Sequence, residues 1–211
     1  MKIYFILLCF SASLWGQEEK ICRMMLIRHG ETSWNANGKR QGWNDIPLNE
    51  EGRRQARELS KKLASLSVKA IYASSLSRAV ETAEILAASH EGSYIVPDST
   101  LRFYRNQFRL WNFLLSKEQK KKRMFDEIVA DSTAYFRKLA YEYAGETVLV
   151  VTHRRVIKYL LDVLGETPYE LENGGFVCLA SDGKSLWIEP QDGGENGKIP
   201  EENVSRVDAN P

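Results

Sequence analysis

The sequence predicts an α/β fold, a three-layer sandwich with a mainly parallel central sheet and helices on both faces. Three observations predict it. Short apolar runs alternate with segments of helical periodicity along the chain. Two of the runs end in histidine, Met24-Met25-Leu26-Ile27-Arg28-His29 and Val148-Leu149-Val150-Val151-Thr152-His153. A third, Val68-Lys69-Ala70-Ile71-Tyr72-Ala73, feeds a helix that carries Arg78 in its first turn. Alternating strands and helices need crossover connections, which give parallel pairing with both sheet faces covered. Ligands of such sheets bind just past the carboxyl ends of the strands. The chemistry is therefore expected at those same ends.

The elements follow in order. Residues 22–28 form the first strand, stopped by Gly30. Residues 30–48 make a long polar connection rich in Gly, Asn and Trp, and loops of that length inside a domain are usually functional. Asn49 caps a helix in which Ala56, Leu59, Leu63 and Leu66 repeat at helical spacing. The strand of residues 68–73 leads through Ser74-Ser75-Leu76-Ser77-Arg78 into a helix reaching Leu86. Ser93 to Val96 is a short third strand, and residues 98–113 are irregular, aromatic and basic. Ser116 to Ala144 is helical, with a break near Asp131-Ser132, and Gly145 ends it. Thr147 to Val151 is a fourth buried strand, and Val156 to Leu164 a helix closed by Gly165 and Pro168. Phe176 to Ala180 and Ser185 to Ile188 form a hairpin turning at Asp182-Gly183.

Domain organisation is simple. Residues 22–190 make one domain, and a hydrophobic content of 43% in 211 residues supplies its core. Met1-Lys2, an apolar run from Ile3 to Trp15 and a polar break at Gly16-Gln17-Glu18-Glu19 read as a signal peptide over residues 1–16, too short to span a bilayer. The expectation is a periplasmic or secreted protein, otherwise a cytoplasmic one, without stable membrane insertion once the leader is gone. Cys9 would leave with that segment, and Cys22 and Cys178 either pair or stay as buried thiols. Residues 191–211 are rich in Gly, Asn, Glu and Pro and read as a disordered tail.

A net charge of +1 gives no reason to expect nucleic acid as a partner. The charge is uneven, because residues 101–125 hold eight basic side chains against the single acid Glu118. Within it, Lys117 to Arg123 reads as a solvated helix face. Parallel strands place His29 and His153 at one sheet edge, with Arg28 and Arg78 beside them. Two guanidiniums and a helix N-terminus suit a dianion such as phosphate. A neutral imidazole there can attack phosphorus, and a second can steady the charge of the moving phosphoryl group. His90, near a helix end, reads as a surface residue or C-cap. No metal-ligand spacing of His or Cys occurs, and no cofactor is expected.

The stretch Arg28-His29-Gly30-Glu31-Thr32-Ser33-Trp34-Asn35 resembles the signature of the histidine phosphatase superfamily, in its phosphoglycerate mutase-like branch. The resemblance continues through Gln41 to Gly52, Ala73 to Ala83 and Val150 to His153, and covers residues 22–190. It implies that His29 is the phosphorylated nucleophile, that Arg28, Arg78 and His153 are phosphate ligands, and that Asn35 adds a side-chain amide. A small phosphorylated substrate and a metal-independent reaction through phosphohistidine follow from the same resemblance. Arg102 and Arg154 are further candidates for substrate binding.

The chain departs from the family pattern twice. Where a Glu serving as general acid and base is expected after Leu101-Arg102, the sequence has Phe103. Loss of a proton donor costs roughly 10²–10⁴-fold with a poor leaving group and less with a good one. Glu31 and Asp45 are possible substitutes in the long loop. Second, Arg154-Arg155 follows His153 where the family usually has glycine. The cap segment from Trp111 to Asp126 is also short, which argues against a full mutase. The expected function is a metal-independent phosphatase acting through His29. The alternative is a phosphate-ligand binding domain with weak or no turnover.

Overall fold

The computed structural model describes residues 20–102, 116, 132–166 and 171–189. The expected leader, Phe103, the basic run Lys117 to Arg123 and the expected tail lie outside the described residues. The secondary structure is β1 (Cys22–Arg28), α1 (Ser33–Ala36), α2 (Glu50–Leu63), β2 (Val68–Ser74), α3 (Ser77–Ala87), β3 (Tyr94–Asp98), a 3₁₀ turn (Ser99–Arg102), a helix α4 over 132–142, β4 (Thr147–Thr152), α5 (Arg154–Val163), β5 (Phe176–Ser181) and β6 (Leu186–Glu189). Strand order is β3-β2-β4-β1-β5-β6. The first four strands are mutually parallel, while β5 runs antiparallel to β1 and β6 antiparallel to β5.

The sheet separates two cores, and the period of two along each strand decides which residue joins which. Met24, Leu26, Val148 and Val150 face Phe136 of α4 and Ile157, Leu160 and Leu161 of α5. Met25, Ile27, Leu149 and Val151 face Leu59 and Leu63 of α2 and Ala83 and Leu86 of α3. Helices thus cover both faces, as expected. Each fully buried Leu or Ile adds about 1.5–3 kcal/mol, and the central strands carry such residues on both sides.

The strand bounds match the sequence expectations to within two residues. The long connection after β1 differs, because Thr32 caps the short helix α1 with a reciprocal box: Thr32 Oγ1 accepts from Asn35 N, and Asn35 Oδ1 accepts from Thr32 N. Asn49 caps α2 through Oδ1, which accepts from Gly52 N at 2.8 Å. His90 is a correction. It is neither on the surface nor the C-cap: it is 5% exposed in the turn after α3, and Ala88 is the C-cap of that helix.

The loop and α2 touch through two glycines. A Cβ at Gly30 would lie 2.5 Å from the Gly52 carbonyl oxygen, and a Cβ at Gly52 would collide with Glu31 O and N. Backbone cannot yield there as a flexible side chain would. Gly52→Ala is expected to lower unfolding free energy by about 1–3 kcal/mol, read as a shift in the urea midpoint. An unchanged midpoint would show that the loop moves away at no cost.

Candidate active site

Register brings the site together. Arg28 pairs with Thr152 across parallel β1 and β4, so the next residue of each strand leaves the sheet side by side. These are His29 and His153, with ring centroids 5.3 Å apart and planes at 67°. His29 N donates to Thr152 O at 3.1 Å, holding the two strand ends together. Ser74 ends β2 beside them, and its Oγ lies 2.8 Å from His153 Nε2. Arg78 comes from the first turn of α3.

All seven residues singled out in the sequence border one cavity of about 900 Å³: Arg28, His29 and Asn35, then Arg78, Arg102, His153 and Arg154. Their surroundings differ. Arg28 Nη1 donates to Leu171 O at 2.6 Å. Arg78 is 3% exposed; its Nη1 and Nη2 donate to the Asn44 and Gly42 carbonyls, and its Nε has no protein partner. Arg102 donates through Nε to Ser75 Oγ and stands 5.7 Å over the Trp43 ring. Asn35 Oδ1 is occupied by Thr32 and by Asn173 Nδ2, so the donor side of this amide is what the cavity can use.

The imidazoles are held neutral. Burial pushes the His29 pKa well below its ordinary value, and His153, Arg78 and Arg28 push the same way. Burial, then Arg78 and Arg102, lower His153 to about 3. His29 Nδ1 lies 2.7 Å from Gly30 O. A carbonyl only accepts, so Nδ1 carries the proton and Nε2 carries the lone pair. Burial also lowers Arg78 to about 10, which leaves it charged at neutral pH.

These shifts tie stability to pH. Both histidines bind protons less well folded than unfolded, so the unfolded state takes up protons as pH falls below about 6.5. Stability is therefore retained above that value and lost below it. For His153, with its pKa lowered to about 3, the loss between pH 7 and pH 5 is about 2 kcal/mol. Urea midpoints at the two pH values check this, and His153→Gln should flatten the dependence. Equal slopes in both proteins would refute it.

Three contributors carry no signal of their own in the sequence. Thr82 Oγ1 accepts from Gly30 N at 3.1 Å and donates to Arg78 O at 2.7 Å, coupling the loop after β1 to α3. Asn173, in the turn before β5, donates to His29 O at 3.1 Å. Ser74 was visible only as part of a strand end. Of the two loop carboxylates, Glu31 borders the cavity, with Oε1 accepting from Asn49 Nδ2 at 2.7 Å. Asp45 does not serve there: both its oxygens accept from Ser77, through N and Oγ, at the start of α3. Among the described residues, no group of three or more His, Cys, Asp and Glu is placed to hold a metal ion, and no helix is long and apolar enough to cross a membrane.

Strand ends, paired histidines and the arginines beside them together define a class. The chain belongs to the histidine phosphatase superfamily (branch 1), whose family model matches residues 24–181. It is 30% identical over 169 residues to phosphoglycerate mutase-like protein 4 of Arabidopsis thaliana, covering 70% of this chain and 73% of that protein. It is 32% identical to the uncharacterized phosphatase PhoE of Bacillus subtilis (strain 168), covering 74% and 85%. The solved phosphoglycerate mutase of Bacillus anthracis str. Sterne superposes with a TM-score of 0.64 at 25% identity, covering 82% of this chain and 94% of that one. Matches to bacterial proteins named probable phosphoglycerate mutase GpmB reach 44% identity but span only 37% of those proteins. The family and these relatives mark a phosphatase- or mutase-type enzyme.

Proposed function

We propose that this protein is a metal-independent phosphatase that passes the phosphoryl group of a small substrate through His29. The observation that carries the reading is the tautomer of His29. Its Nδ1 is tied to Gly30 O at 2.7 Å, which leaves the Nε2 lone pair for attack in a cavity shared with Arg28, Arg78 and His153. In the first step the Nε2–P bond forms and the ester P–O bond breaks. The phosphoryl oxygens then meet Arg28 and Arg78, the two arginines that border the cavity beside the histidines. The incoming dianion raises the proton affinity of His153, which becomes a donor to the phosphoryl group. Water then attacks phosphorus, releases inorganic phosphate and restores neutral His29. The leaving oxygen takes its proton from solvent or from a side chain at the mouth. With Phe103 in place of the family's Glu, leaving groups that need no proton are the suited ones: aryl phosphates and acyl phosphates.

Phosphate release from such compounds in the presence of EDTA tests the reading. Turnover that is insensitive to EDTA supports it. Binding of phosphate or vanadate by calorimetry without turnover of any of them would instead favour a phosphate-binding domain.

A further inference from the structure

Ser74 ends β2 and is fully buried. Along β2, Ala70 and Tyr72 join the face of the sheet covered by α5, and the period of two puts Ser74 on that face as well. β2 and β4 run parallel with Ala73 opposite Val151. Ser74 therefore reaches the strand ends one residue short of His153, the N-cap residue of α5. The result is the 2.8 Å contact between Ser74 Oγ and His153 Nε2. His153 borders the cavity and Ser74 does not, so the hydroxyl meets the ring from the protein side. A hydroxyl donates or accepts, and a neutral imidazole has one nitrogen of each kind. Among the described residues, His153 is the only hydrogen-bond partner of Ser74 Oγ. With a proton on Nε2, Ser74 would accept it and strand its own buried O–H, which is unfavourable. With a lone pair on Nε2, Ser74 donates and nothing is stranded. The second arrangement leaves the ring proton on Nδ1. Consistently, His153 makes no side-chain cap bond to the amides of α5, the partners that a lone pair on Nδ1 would seek. Burial, Arg78 and Arg102 keep the ring neutral, so the place of this one proton decides what His153 offers.

We propose that Ser74 is a positioning residue that fixes His153 in its Nδ1–H tautomer, so that the neutral ring offers Nδ1–H to the transferring phosphoryl group. This rests on the phosphatase reading and adds the means by which the second histidine is prepared. A proton drawn to His153 by the bound dianion enters at Nε2, where the Ser74 hydroxyl turns to accept it. Nδ1–H is thus available to the phosphoryl group in either state. The two histidines then hold the same tautomer and play opposite parts. In His29 the Nδ1–H is tied to Gly30 O and the Nε2 lone pair is left over. In His153 the Nε2 lone pair is tied to Ser74 and the Nδ1–H is left over.

Nitrogen-15 spectra of protein labelled in its three histidines read the tautomer directly, and the signals lost in His153→Gln are those of His153. The unaltered protein is expected to show a protonated Nδ1 and a bare Nε2 on this ring. In Ser74→Ala the ring should relax to a mixture of tautomers. Its kcat for 4-nitrophenyl phosphate should fall about five- to tenfold, with KM changed by less than about twofold because Ser74 does not meet the substrate. Ser74→Thr keeps a hydroxyl and should restore both tautomer and rate. Vanadate affinity by calorimetry should follow the same order without turnover. An Nε2–H tautomer in the unaltered protein would overturn the proposal even if no variant folds. A folded Ser74→Ala protein with tautomer, kcat and vanadate affinity unaltered would overturn it too. The Nδ1–H tautomer with vanadate bound and no phosphate released counts against the phosphatase reading alone. Phosphate release with the Nε2–H tautomer counts against the role of Ser74 alone.

Discussion

Replacing His29 with alanine is expected to reduce phosphate release from an aryl phosphate by at least about 10⁴-fold, as loss of a covalent nucleophile does. The geometry makes the expectation specific. His29 is buried at the end of β1, its Nδ1 is bound to Gly30 O, and its ring meets His153 at 5.3 Å. The other neutral imidazole of the cavity, His153, has its Nε2 engaged with Ser74 Oγ at 2.8 Å. The variant removes a side chain whose ring bonds only its own loop, so the sheet pairing of β1 with β4 and β5 remains available. Circular dichroism and a urea midpoint check that the fold persists. A folded His29→Ala protein with unaltered turnover would eliminate the covalent route.

The second large effect is expected at Arg78. Arg78→Ala should lower kcat/KM by about 10²–10³-fold, the usual loss for one preorganised transition-state donor. Arg78→Lys should recover little of it. The guanidinium acts in two directions at once: Arg78 borders the cavity, and its Nη1 and Nη2 hold the Asn44 and Gly42 carbonyls. A lysine supplies a point charge but not this fork. Rescue of Arg78→Ala by added guanidinium ion would support the charge role. Undiminished kcat/KM in a folded Arg78→Ala protein would remove Arg78 from the site.

The parts of this arrangement that follow from strand ends were legible in the sequence. Apolar runs stop where the sheet stops, so His29, His153 and Arg78 could be placed at one edge from periodicity alone. Their lateral order could not be, because strand order depends on how the helices pack and not on the run itself. The contacts that fix the side chains were also hidden. Thr82, Asn173 and Ser74 are ordinary polar residues, and only the folded backbone brings Thr82 to Gly30 N and Asn173 to His29 O. Asp45 looked like a free loop carboxylate, yet it is bound to Ser77. His90 misled for the same reason. A polar residue near a helix end reads as solvent-facing unless the neighbouring turn folds over it.

The position of the two cysteines has a further consequence. Cys22 shares a face with Met24 and Leu26, whereas Cys178 belongs with Met25 and Ile27 on the other. The sheet stands between them, and both are free thiols. Burial, helped by Glu146, raises Cys22 to about 11, and burial, helped by Glu189, raises Cys178 to about 12. Thiolate is thus scarce at either position near neutral pH. Among the described residues the fold gains no cross-link from an oxidising compartment and loses none in a reducing one, because Cys22 and Cys178 lie on opposite faces of the sheet. Alkylation at these two sulfurs then measures how often the sheet opens. Pulse labelling followed by peptide mass analysis turns each face of the core into its own clock.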